Sequence, residues 1–158
     1  MKTLIRQGLR IKIENEVGTT RKGVDKDGKP WAITMSYDYG EILNSKGVDG
    51  DPVDVFLGPN KSAKFVYVVH QTTKDGNRFD EDKCFMGFDN AMDAKQAFYK
   101  NYDIPDFFFG DVQAIPIQEF KKLVFKNKGK LIRASRIIKC NGTKMDIAIA
   151  LYAENITR

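Results

Sequence analysis

Phe65-Val66-Tyr67-Val68-Val69-His70-Gln71, then Asp75-Gly76, then Phe79-Asp80-Glu81-Asp82-Lys83-Cys84-Phe85-Met86 reads as a strand, a turn and a returning strand. The first run is rich in β-branched and aromatic residues and is bounded by polar ones, which marks a buried strand. Asp-Gly is a strong short hairpin signal, and making that turn is the ordinary task of Asp75. On the returning strand, a period of two puts Phe79, Glu81, Lys83 and Phe85 on one face and Asp80, Asp82, Cys84 and Met86 on the other. Glu81 and Lys83 therefore look into the same site. His70, the sole histidine, is assigned a structural place within its strand.

Working outward, residues 4–13 read as a strand or a pair of short strands, followed by a polar loop over 14–23 and a turn at Asp27-Gly28. Residues 31–37 and 39–43 read as further strands. The main helix is expected over 90–102, with Asn90 as its cap, Asp93 at the third helical position, and Ala91, Ala94, Ala97 and Phe98 as its apolar stripe. Pro105 closes that segment, and Phe107-Phe108-Phe109 is read as a core plug. A second, shorter helix is expected over 117–125, next to Pro116. Beyond Lys130 one strand is expected, then an ambiguous segment over 145–153. Many short strands with one main helix describe a mainly β fold, a small and partly closed barrel.

The most reactive stretch is Asp49-Gly50-Asp51-Pro52-Val53-Asp54-Val55, whose three carboxylates repel one another unless a cation sits among them. In an even strand Asp49 and Asp51 would share a face and Asp54 would oppose them. Pro52 lacks a ladder donor and favours an edge or bulge, where the chain can bend and bring the acids to one point. Hard oxygen donors with no Cys or second His nearby favour Mg²⁺, with Mn²⁺ as the substitute, over zinc. An EF-hand loop fails on register: with Asp49 first, Asp54 falls where Gly is required and Asn60 where the bidentate Glu is required. A plain acidic surface turn is the simpler alternative.

Asp-Gly-Asp-Pro-Val-Asp-Val resembles the signature of the soluble family I inorganic pyrophosphatases, and Tyr39-Gly40-Glu41-Ile42 resembles the Tyr-Gly strand that precedes it there, ten residues upstream. Arg21-Lys22-Gly23, Asp27-Gly28-Lys29-Pro30-Trp31, Phe79-Asp80-Glu81-Asp82-Lys83 and Gly87-Phe88 extend the likeness from about Thr20 to Phe125. It is nearer still to the pyrophosphatase-like domains of phage and mobile-element proteins. The resemblance implies an OB-like five-stranded barrel with its acids at the mouth, and Mg²⁺-dependent hydrolysis of pyrophosphate to two phosphates by a metal-activated water. It also implies roles: Asp49, Asp54 and Glu81 as metal ligands, Asp51 as general base, and Tyr39, Lys83, Arg21 and Lys100 as substrate contacts. Lys100 enters through the pair Tyr99-Lys100. Asp75 and Asp80 compete for a remaining ligand role, and Lys22 and Lys29 join Arg21 as clamp candidates. Three departures stand out. Glu81 replaces the family's Asp, Asp27 occupies the position twelve residues before the tyrosine where the family has Arg, and the family's upstream Lys-x-Glu is not recognised.

The chain has 158 residues, one domain's worth, with a net charge of +5 that conceals an asymmetry. Residues 1–120 carry 16 Lys/Arg against 19 Asp/Glu, whereas residues 121–158 carry 10 against 2. The expected division is a barrel domain over 1–125 and a basic extension over 126–158. The acid-free run from Lys121 to Lys144 allows nucleic-acid contact without favouring it, because aromatic interleaving and a helix-turn-helix pattern are both missing. Cys84 and Cys140 lack CxxC spacing and read as reduced structural thiols. No apolar run suits a membrane or a signal peptide, so a cytoplasmic location, bacterial or in an infected host cell, is expected. A homo-oligomer is compatible with the sequence. The function from another class is a catalytically inactive barrel acting as a binding or structural module for nucleic acid or protein; a nucleotide-linked pyrophosphate is the alternative substrate.

Overall fold

In a computed structural model, the described residues are 2–73, 75, 77–101, 110–126, 128–130, 132 and 139–140. Strands β1 (Lys2–Arg6), β2 (Leu9–Asn15), β5 (Asp38–Ile42), β6 (Asp54–Leu57), β7 (Phe65–Thr72), β8 (Phe79–Met86), β9 (Val112–Pro116) and β10 (Lys139–Cys140) form one sheet in the order β1-β2-β5-β6-β8-β7-β9-β10. Strands β3 (Thr20–Val24) and β4 (Pro30–Thr34) make a separate two-stranded sheet. Helices α1 (Ala91–Lys100) and α2 (Ile117–Lys126) complete the fold. It is mainly β and barrel-like, as the patterning predicts, with the five adjacent strands β2, β5, β6, β8 and β7 at its centre.

Alternation divides the core into two layers. One layer holds the row Tyr39, Phe56, Phe85, Tyr67 and Ala114, contributed by five laterally paired strands and covered by Ala91, Ala94, Ala97 and Phe98 of α1. The apolar stripe expected of the main helix is the stripe it buries. The other layer collects Val55, Cys84, Val68 and Ile115 against Phe120 and Val124 of α2, and Ile132 joins it. Asn90 caps α1 by accepting from the Asp93 N–H at 2.8 Å, a contact of the kind that contributes about 1 kcal/mol.

The β7–β8 hairpin forms in the expected antiparallel register, with Val69 opposite Lys83 and Gln71 opposite Glu81. Its connection is wider than a two-residue turn: Thr73 N–H bonds to the Arg78 carbonyl at 2.9 Å, and the Asp75 carboxylate accepts from the Asn77 N–H at 3.0 Å and from the Thr73 hydroxyl. The part of 14–23 read as loop contains β3, whose Arg21 pairs with Ile33 and Gly23 with Trp31. Its polar sequence conceals a strand because one face is exposed and the inward face includes a glycine. Gly76, Tyr102, the Phe107-Phe108-Phe109 plug and the segment 145–153 lie outside the described residues.

Candidate active site

Three strands bring charge to one face of the sheet. Strand β6 runs antiparallel to β5 with Asp54 opposite Glu41, and parallel to β8 with Asp54 beside Lys83. Lateral partners share a face, so Glu41, Asp54 and Lys83 form a row, and Lys12 of β2 extends it opposite Glu41. Gly40 allows the close β2–β5 approach, since a Cβ there would overlap the Lys12 carbonyl.

Lys83 is the hub of the row. Its buried ammonium donates to Asp54 Oδ2, lies 2.9 Å from Glu81 Oε1 and donates to Tyr39 Oη at 3.0 Å. Burial raises the Glu81 carboxyl, an effect that Lys83 opposes and that the Asp54 and Asp80 charges reinforce. Glu41 is pushed up to about 7 by burial, by a hydrogen bond with Glu14 and by the Glu14 charge. Above Tyr39 lies Arg21, its guanidinium carbon 4.9 Å from the Tyr39 ring centre and 5.8 Å from that of Trp31. Such cation–π contacts aim a guanidinium without consuming its donors. Gly23 leaves room for Trp31, because a Cβ there would overlap the indole.

The acid heptapeptide is held by its own turn. Asp49 Oδ1 accepts from the Asp51 N–H at 3.0 Å, Gly50 has φ +91°, and the Ser45 hydroxyl accepts from the Val53 N–H at 2.9 Å. The chain then enters β6 at Asp54. Asp49, Asp54, Glu81, Asp82 and Lys130 line a common narrow cleft. Asp51 lies on the exposed turn and is not among the residues lining the cleft.

The structure thus gathers Asp49, Asp54, Glu81, Lys83 and Tyr39, with Arg21 over the tyrosine. Lys100 is exposed in the last turn of α1, away from the cleft lining, and Tyr99 packs against the core. Asp80 accepts from Gln71 Nε2 at 3.1 Å, while Lys22 and Lys29 are exposed. His70 is buried on the opposite face, between Asp82 Oδ1 and Gln113 Nε2, and Cys84 is buried and reduced. Among the described residues, no group of three or more His, Cys, Asp or Glu side chains already sits at metal-ligand spacing, and Lys83 pairs with both Asp54 and Glu81. The donor chemistry nonetheless fits a hard divalent cation, because the cleft offers carboxylate oxygens while the imidazole and the buried thiol face away.

Sequence reasoning passed over Glu41 and the triplet Lys12-Ile13-Glu14. That triplet has a Lys-x-Glu form, and its signal is the alternation of Ile11 and Ile13 with Lys12 and Glu14, which predicts a strand with one charged face.

Residues 1–125 match the family described as inorganic pyrophosphatase. A comparison with curated proteins gives no match. Among the described residues, no helix is long and apolar enough to cross a membrane.

Proposed function

The chain belongs to the inorganic pyrophosphatase family, and from that premise we propose that it hydrolyses pyrophosphate to two phosphates with Mg²⁺, Mn²⁺ being the expected substitute. The observation that carries this reading is the Lys83 hub, where one ammonium joins Asp54, Glu81 and Tyr39 beside the cleft that Asp49 also lines. Asp49, Asp54 and Glu81 would hold the ion. When bound, it would neutralise phosphate charge and lower the pKa of a water.

The chain's own residues supply the remaining work. Lys83 keeps two carboxylates side by side that would otherwise separate, and it fixes the Tyr39 hydroxyl beside them. Tyr39 donates to a phosphate oxygen. Arg21 grips another oxygen, taking the place of the arginine replaced by Asp27. Asp51, on its exposed turn, takes the proton of the attacking water.

Release of inorganic phosphate from pyrophosphate in Mg²⁺, measured colorimetrically, tests the reaction. Asp51→Asn is expected to lower kcat by about a hundredfold, within the usual range for losing a general base; an unchanged rate would remove Asp51 from that role. A parallel assay with a nucleoside triphosphate distinguishes the free anion from a nucleotide-linked pyrophosphate. No release from either substrate would leave the barrel as a binding module.

A further inference from the structure

We infer that Lys130, in the segment after α2, is a phosphate-binding residue of the acidic cleft. It lies beyond residues 1–125 that match the family, so the family does not assign it a role. The inference rests on the reading that this cleft receives a phosphoanhydride.

Two hydrogen bonds donated by backbone N–H groups bracket Lys130. On one side, Gly129 N–H donates to the Lys46 carbonyl at 3.0 Å, at the root of the turn that carries Asp49. Gly129 has φ +72°, a conformation that suits glycine, so the chain can turn back there onto the acid-bearing loop. On the other side, Ile132 N–H donates to Asp82 Oδ2 at 2.8 Å, and Asp82 sits between Glu81 and Lys83 on β8. The Ile132 side chain is only 2% exposed and packs into the core. Pinned on both sides, Lys130 lines the cleft with Asp49, Asp54 and Glu81.

The distribution of charge explains what this lysine is for. Asp54 and Glu81 share Lys83, and Asp82 is engaged by His70 and by the Ile132 N–H. Lys130 is exposed and forms no ion pair with a carboxylate among the described residues. An exposed lysine lining a cleft without a carboxylate partner is a point charge ready for a polyanion. It would meet one phosphate of the substrate.

The test titrates methylenebisphosphonate, a pyrophosphate analogue that does not hydrolyse, into the full chain in Mg²⁺ by calorimetry. Lys130→Ala is expected to weaken binding about tenfold, the equivalent of one such contact, with Lys130→Arg within about threefold of the unmodified chain. Lys128→Ala, which removes a charge two residues away, should leave the affinity unchanged. In the phosphate-release assay, KM for pyrophosphate should rise by the same factor in Lys130→Ala. Three results would overturn the inference: Lys130→Ala binding as tightly as the unmodified chain, Lys128→Ala losing as much as Lys130→Ala, or an unmodified chain that does not bind the analogue. Analogue binding that depends on Lys130 without any phosphate release would support the inference while ending the hydrolase reading. Phosphate release with a Lys130-independent KM would do the reverse.

Discussion

Lys83 answers the electrostatic question raised by the acids. Carboxylates placed side by side need a cation, and here a buried ammonium on the neighbouring strand supplies one for Asp54 and Glu81. Removing one member of a buried ion pair leaves uncompensated charge and costs about 3–5 kcal/mol. Lys83→Met should therefore lower unfolding stability by about 3 kcal/mol in EDTA, toward the low end because Asp54 and Glu81 retain some solvent access. A urea titration measures this; a change below about 1 kcal/mol would mean that solvent already screens the pair. Glu41 makes a second residue-scale prediction. Its native pKa, about 7, lies above the ordinary 4.5, so between those values the folded chain holds a proton that the unfolded chain has lost. The native state then binds more protons, and stability falls as pH rises through that window. In EDTA, Glu41→Gln should flatten this part of the stability profile, and an unchanged slope would place its origin elsewhere.

At the scale of elements, the β3–β4 hairpin acts as a support for Arg21. Its inward face carries Arg21, Gly23, Trp31 and Ile33, and the flat indole fits because Gly23 lacks a side chain. Gly23→Val should displace Trp31 and, with it, Arg21. KM for pyrophosphate should rise about tenfold, corresponding to one lost contact, while the main sheet's stability changes little because this hairpin is a separate sheet. Kinetics beside urea unfolding check the two halves of that expectation, and unchanged KM would free Arg21 from dependence on Trp31. Elements whose patterns are local were legible in advance: α1 through its cap and alanine stripe, and the β7–β8 hairpin through its β-branched run and alternation. β3 was not, because a half-exposed strand of Thr, Arg, Lys and Gly carries no apolar alternation.

Across the whole molecule, the chain beyond residue 125 places Lys130 in the lining of the cleft and Ile132 in the core. Ile132 lies among Val55, Cys84, Val68 and Phe120, so Ile132→Ala should cost about 3 kcal/mol in urea unfolding, within the range for emptying a buried aliphatic site. A loss under about 0.5 kcal/mol would show that the core does not depend on it. The two-residue strand β10 also returns to β9, pairing Lys139 with Gln113.

The amino-acid order alone determined the chemistry on offer. It placed carboxylates at 49, 51, 54 and 81, set Glu81 and Lys83 on one strand face, and carried the family likeness, because each of these depends on neighbours only a few residues apart. Only the tertiary structure decided which groups meet. Lys83 reaches Asp54 across 29 residues of sequence through the parallel pairing of β6 with β8, and Tyr39 across 44. The row from Lys12 through Glu41 to Asp54 depends on the registers of β2, β5 and β6, and the place of Lys130 on the bond from the Ile132 N–H to the Asp82 carboxylate. Strand register between distant segments is set by how the entire sheet packs its two apolar layers, a collective balance that no short window of sequence contains.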